Sequence, residues 1–276
     1  MYDFYTHLKL LCILLGILYF SGSEPLHNIR TIISIPVPAG FNRIFVKNGS
    51  FGGWLRNLPL KPSGSPVLNY RGNVYKKGDD STVVAVVDWD IGGKRMEQCM
   101  DILIHFYAEF LWQENCSDII RFPLPGGYWL DWDQWKEGWR PEFRGIQMKM
   151  QRIAKQDSSK ESFASFLNTV FVESHTQQFY HAYKSIERYN INIGDFIVKK
   201  GSRGHAVMIM DLAENNNGDM VALIGHGDTP ACQFYLLKYR KQESWFPLDF
   251  QNDSIPLPIR KKMTWDGLRR FCDMKY

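Results

Sequence analysis

Apolar and polar positions along this chain follow two periods, and the changes between them outline its elements. Thr31 to Pro38 alternates and closes on Pro-x-Pro, which predicts a short edge strand. Phe51 to Leu58 reads as a short helix carrying Trp54, and Pro59 to Pro66 as an ordered loop or extended arm. Ser81 to Trp89 is a β-branched run, the mark of a buried strand, ending at Asp88-Trp89-Asp90-Ile91-Gly92-Gly93. From about Lys94 to Gln113 the period turns helical, with Met96, Cys99, Leu103, Phe106 and Phe110 on or near one face. Ser158 to Tyr183 reads as one or two helices. A meander follows: Gly194 to Val198, His205 to Met210 and Met220 to Ile224 are strands, with a turn at Asn215-Asn216-Asn217-Gly218. The tail, with Trp245, Pro247 and Trp265, reads as irregular wrapping plus a short terminal helix. No repeat and no long linker divides the chain, so the pattern predicts a single α+β domain.

The meander carries the first chemical signal. The start of one hairpin strand lies beside the end of the next, and His205 and His226 are equidistant from the centre of the Asn-rich turn. A symmetric turn would make them direct cross-strand neighbours, with Cβ atoms about 4.5–5.5 Å apart. A one-residue bulge would break that pairing. Both histidines have glycines beside them, in Gly204-His205 and Gly225-His226-Gly227, as expected of a site at a sheet rim.

Composition changes the picture in two ways. Leu8 to Phe20 is an apolar run, with Lys9 giving a weakly positive start, and Ser21-Gly22-Ser23 offers small residues for cleavage. The run is short of the ~20 apolar residues that span a bilayer. Residues 1–23 therefore read as a secretory signal peptide and 24–276 as the mature domain, with no membrane span after cleavage. The expected location is the periplasm, the cell surface or the medium. The net charge of +4 is mild and no basic block stands out, so nucleic acid is not an expected partner. Cys99, Cys116, Cys232 and Cys272 could form up to two disulfides in an oxidising compartment, but their wide, irregular spacing is no disulfide framework, and no zinc-ligand spacing occurs. Nothing asks for a cofactor or a metal.

A histidine pair needs a group to act on. Cys99 is the leading candidate, because a helix N-terminus lowers a thiol's pKa and favours the thiolate. In that reading Cys99 is the nucleophile, His205 the base and His226 the residue that fixes its tautomer. The bland reading makes Cys99 a small hydrophobe on the stripe with Met96 and Leu103. Cys232, six residues past His226, is the rival nucleophile. Asp211 and Asp228 flank the hairpin as weaker candidates to orient a histidine. Asp88 and Asp90 share a strand face and could hold a cation with His205, although capping of the next turn is the plainer role. Trp132, Trp135, Trp139 and Arg140 could form a substrate-binding strip, since indole faces stack on sugars. Their spacing equally marks a helix face packed on a core, the stronger reading.

A Cys on a helix, a His at a strand start and a polar residue on the next strand resembles the papain-like order. More narrowly, it resembles the NlpC/P60 amidase-like cysteine peptidases, although their usual Asp-Cys-Ser/Gly signature is lacking. A wider set of blocks carries a second resemblance. These are Ile35-Pro36-Val37-Pro38-Ala39-Gly40-Phe41, Gly49-Ser50-Phe51 through Leu60, the Asp88/Asp90 strand end, Gln98-Cys99, Gly138-Trp139-Arg140-Pro141, and Gly194-Asp195 through Val207. Together they resemble the uncharacterised-domain family numbered 4846, secreted bacterial proteins found in Bacteroides and relatives. The resemblance implies one domain, an envelope or surface location, and a glutamine as an alternative at the position of His226.

The expectation is therefore an α+β, papain-like (NlpC/P60-like) domain with a helix packed on an antiparallel sheet and irregular extensions. Its expected activity is that of a secreted cysteine amidase or peptidase, acting on a peptide or glycan of the cell envelope, such as cell-wall peptide. The alternative is a non-catalytic envelope glycan- or peptide-binding protein on the same scaffold.

Overall fold

A computed structural model describes residues 29–93, 95–201 and 204–271; the expected signal segment and Cys272 lie outside them. The centre is an eight-stranded sheet. Its path runs Leu268–Arg269, Phe196–Lys199, His205–Asn215, Met220–His226, Tyr235–Leu237 and Val83–Val86, every neighbouring pair antiparallel. Phe41–Arg43 pairs with the far end of the His205–Asn215 strand, and Phe246–Pro247 with the Met220–His226 strand. The result is a mixed α+β fold with a largely antiparallel sheet. Among the described residues no helix is long and apolar enough to cross a membrane.

The Cys99–Gln113 helix packs across the His205–Asn215 strand. It starts five residues later than its apolar period suggests. The Asp101 carboxyl accepts from the Gln98 N–H at 3.0 Å, so an N3 acid caps the helix at Gln98 and makes Cys99 its first residue. Phe106 on this helix lies against Phe234, Trp89 and Trp54, with ring centroids 4.9, 4.9 and 6.1 Å away. That aromatic contact fixes the helix on the sheet.

Several local expectations change. Thr31 to Pro38 forms a single turn of 3-10 helix at Ile32–Ser34 rather than a strand, with only an isolated bridge from Thr31 to Pro59. The tail's short terminal helix is a 3-10 turn at Trp265–Gly267, between small strands. Ser158 to Tyr183, expected as one or two helices, forms two, Lys160–Glu173 and Thr176–Ala182. The tryptophan-rich stretch is not one helix. Trp129 lies on a strand, Trp132–Lys136 is a short helix, and Trp139–Arg144 pairs with Gln147–Arg152 as a hairpin. Gly138 ends the helix at φ +94°, where a Cβ would lie 2.2 Å from the Ala154 carbonyl oxygen.

Candidate active site

The two histidines meet, but by a different register from the symmetric one. The turn is centred on Asn217, since Glu214 pairs with Met220. Continued unbroken, that register would set His226 opposite Met208 and leave His205 on the other face. Between Ile209 and Asp211 the register shifts by one, with Met210 as the extra residue, so that Met208 pairs with Gly225. This bulge puts His226 opposite Val207, on His205's face and diagonal to it. With a symmetric turn, a one-residue bulge would have broken a direct pair. Here the bulge is what brings the rings together.

His205 Nε2 and His226 Nδ1 are 2.8 Å apart, with ring centroids at 4.9 Å and planes at 79°. Both side chains are buried; His226 has no exposure at all. Burial lowers the His205 pKa, with nearby Asp228 opposing it and Lys261 adding to it. Burial, then His205, lowers His226 well below the usual range. Both rings are therefore neutral at pH 7, and one proton lies between them. If His205 donates from Nε2, its Nδ1 is a free base and His226 carries its own proton on Nε2. That Nε2 is buried with no hydrogen-bond partner among the described residues, against the Tyr235 ring with centroids 4.7 Å apart.

Gly204, just before His205, allows a close approach. A Cβ there would fall 1.9 Å from Thr176 Oγ1 and 2.6 Å from the Lys199 carbonyl. Beyond His226, Gly227 lies against the helix start; a Cβ there would be 3.2 Å from Ile102 and 3.5 Å from the Gln98 carbonyl. The helix start, the His205 strand and the end of the His226 strand thus converge.

Cys99 sits at that junction as a free thiol with 6% exposure. Backbone N–H groups of Ala206, the residue after His205, and of Met100 point at its sulfur and favour the thiolate. Burial, then Asp101, work the other way and prevail, pushing the thiol up to about 12. The helix N-terminus therefore does not hold a resting thiolate, contrary to the lowered pKa that its position suggests. Burial also pushes Asp101 up to about 8, so near neutral pH it is mostly a protonated cap.

Cys232 is a second free thiol of the cluster. Burial first, and lesser electrostatic effects of Asp228 and Cys99, push it up to about 12 while the Asp228 N–H points at its sulfur. It sits on no helix N-terminus and pairs through Asn69 in an isolated bridge. Asp228 accepts from the Tyr75 hydroxyl at 2.6 Å and from the Thr229 N–H at 2.8 Å. Thr229 Oγ1 donates to Gln98 Oε1 at 2.7 Å, tying this loop to the residue before the nucleophile candidate.

The remaining candidates lie elsewhere. Trp132 and Trp135 are core residues at 1% and 5% exposure; Phe163 and Phe166 pack on Trp132, and Phe166 and the Arg140 guanidinium on Trp135. Their indoles offer no face on which a sugar could stack; Trp139 is exposed and Arg140 half-buried. Asp90 accepts from the Gly92 N–H, the turn-capping role. Among the described residues no three His, Cys, Asp or Glu side chains are grouped as a metal site requires, which leaves the Asp88/Asp90 cation reading without support. Asp211 is instead a structural ion. Fully buried, it accepts from Arg43 Nε at 2.6 Å and from Arg56 Nε at 2.7 Å, one residue past the bulge.

Tyr75, Asp101 and Thr229 were not singled out from the sequence. Only Asp101 had a local signal, an acid three residues into a helix from Gln98. The family model described as a domain of unknown function (4846) matches residues 32–265, a span that includes the helix start, both histidines and the bulge. The chain belongs to that family. No curated protein and no solved structure matches it. Membership of family 4846 thus places Cys99, His205 and His226 inside one domain type without assigning them a reaction.

Proposed function

We propose that this member of family 4846 is a cysteine hydrolase that cleaves an amide bond, with a papain-like, NlpC/P60-like site in the periplasm or at the cell surface. The observation that carries the reading is the 2.8 Å His205 Nε2 to His226 Nδ1 contact beside a thiol at a helix N-terminus. With His226 accepting, His205 presents Nδ1 as the base for the Cys99 proton. His226 needs no change of tautomer when His205 becomes an imidazolium, because His226 Nδ1 remains an acceptor throughout.

A thiol held up at about 12 reacts with base assistance rather than as a standing ion pair. The Cys99 S–H proton moves to His205 Nδ1 as sulfur bonds to the amide carbon. The tetrahedral oxyanion then collapses, the C–N bond breaks, and the leaving amine takes the proton from His205. Water, deprotonated by His205, releases the acid and restores the thiol. Stabilisation of the oxyanion would fall to backbone N–H groups at the helix start, a preorganised arrangement. Cys232 sits on no helix start, so the proposal assigns the nucleophile to Cys99. A glycan-binding role loses the support of Trp132 and Trp135.

The test is hydrolysis of a peptide and cell-wall fragment panel by the mature protein, its Cys99→Ala variant and its Cys232→Ala variant. Cleavage abolished by the first change and kept by the second supports the assignment. Cleavage that survives Cys99→Ala contradicts it.

A further inference from the structure

Cys99, His205 and His226 are closed off, with exposures of 6%, 4% and 0%. Attack on an amide brings its carbon to about 3–3.5 Å from the sulfur. The closed arrangement therefore admits no substrate until a segment moves away from the helix start. The contacts around the helix start identify that segment.

Gly227 follows His226 and rests on the helix. A Cβ there would lie 3.2 Å from Ile102 and 3.5 Å from the Gln98 carbonyl oxygen. Ile102 stands three residues after Cys99, on the same helix face. Asp228, Thr229 and Pro230 come next, and the last two are exposed. The chain is anchored again just beyond them. The Ala231 carbonyl accepts from the Tyr70 N–H at 2.9 Å, and the Gln233 N–H donates to the Leu68 carbonyl at 2.9 Å. Between these anchors, side chains hold the segment down. Thr229 Oγ1 donates to Gln98 Oε1 at 2.7 Å, and the Tyr75 hydroxyl to Asp228 at 2.6 Å. Among the described residues no backbone hydrogen bond ties residues 228–230 to the helix. Such a segment opens at lower cost than the sheet and helix on either side of it.

We propose that residues 228–230 form a gate over the Cys99–His205 pair. Thr229 latches it to the helix, and Tyr75 latches it to the hairpin of Val67–Leu68 and Val74–Lys76. Substrate enters when both bonds break. The gate's role in substrate entry rests on the proposed thiol chemistry at Cys99; Thr229 and Tyr75 take no part in bond making.

Iodoacetamide, which bonds to sulfur with loss of iodide, reports the opening without knowledge of the substrate. Rates of Cys99 modification are measured, with the site mapped, in the mature wild type and in Thr229→Val, Thr229→Ser and Tyr75→Phe. Urea unfolding of each gives its global stability. Losing one neutral, exposed hydrogen bond shifts an opening equilibrium about two- to fivefold, and losing one to a carboxylate about tenfold or more. Thr229→Val should therefore react about two- to fivefold faster and Tyr75→Phe about tenfold or more. Thr229→Ser keeps the hydroxyl and should match the wild type. Equal rates in all four proteins, with Cys99 reactive, overturn the gate and leave the thiol chemistry standing. Acceleration matched by an equal loss of global stability also overturns it, because modification then runs through unfolding. With the latch removed, adding His205→Ala to Thr229→Val should slow modification. A rate unchanged by that addition overturns the hydrolase reading, and the role in substrate entry with it.

Discussion

Replacing Asp101 by Asn isolates the most unusual charge at the helix start. Asp101 is buried, and its carboxyl is pushed up to about 8 from an ordinary 3.8, chiefly by loss of solvent. The folded pKa lies above the unfolded one. Its contribution to stability is thus full below about pH 4 and is lost as pH rises toward 8. At 1.36 kcal/mol per unit, holding that proton costs about 4 kcal/mol at pH 7, and about 3–4 kcal/mol accumulates between pH 5 and 8. Asn copies the protonated acid: its oxygen can accept from the Gln98 N–H and it never ionises. The histidines act with the opposite sign, since their lowered pKa values cost stability as pH falls below about 6.5, but they are common to both proteins and cancel. Urea unfolding of the two proteins, followed by tryptophan fluorescence at several pH values, gives the difference directly. Asp101→Asn should match the wild type near pH 4 and exceed it by about 4 kcal/mol at pH 7. A gap that does not change with pH, or a variant less stable at pH 7, would refute the reasoning. The second result would mean an ionised cap serving the helix dipole, worth ~0.3–1 kcal/mol.

Two further substitutions probe the pair and its support. His226→Gln keeps an acceptor for His205 Nε2, so Cys99 alkylation should stay within about threefold of wild type, whereas His226→Ala should slow it about tenfold or more; equal rates in both would remove His226 from the site. Asp211→Ala leaves the buried Arg56 guanidinium unpaired next to the bulge and should cost about 3–5 kcal/mol in urea unfolding; a loss under 1 kcal/mol would contradict that role.

The sequence made the histidine pair legible through glycine flanks and a turn of strong type, and the helix through its apolar period. What it hid follows from physics at each place. A bulge at Met210 needs no glycine, so nothing in the local composition announces the register shift that sets the two rings on one face. The three- and four-residue spacing of Trp129, Trp132, Trp135 and Trp139 imitates a helix. Burial selects aromatic residues in strands and helices alike, and Gly138 and Pro141 mark where the helix cannot continue. The helix position of Cys99 was legible, but its pKa was not, because desolvation and the Asp101 side chain outweigh the backbone N–H groups that face the sulfur. Tyr75 and Thr229 reach the site from distant segments, a matter of tertiary packing alone.

In the proposed site Cys99 and His205 work as one unit. The direct test is the rate of Cys99 modification by iodoacetamide across pH in the mature, folded protein, with His205→Ala as the control. The account predicts modification of Cys99 at neutral pH that His205 accelerates, so that the control is slowed about tenfold or more. A Cys99 that stays unmodified until the protein unfolds, with or without His205, would contradict the account and leave this thiol a packed core residue.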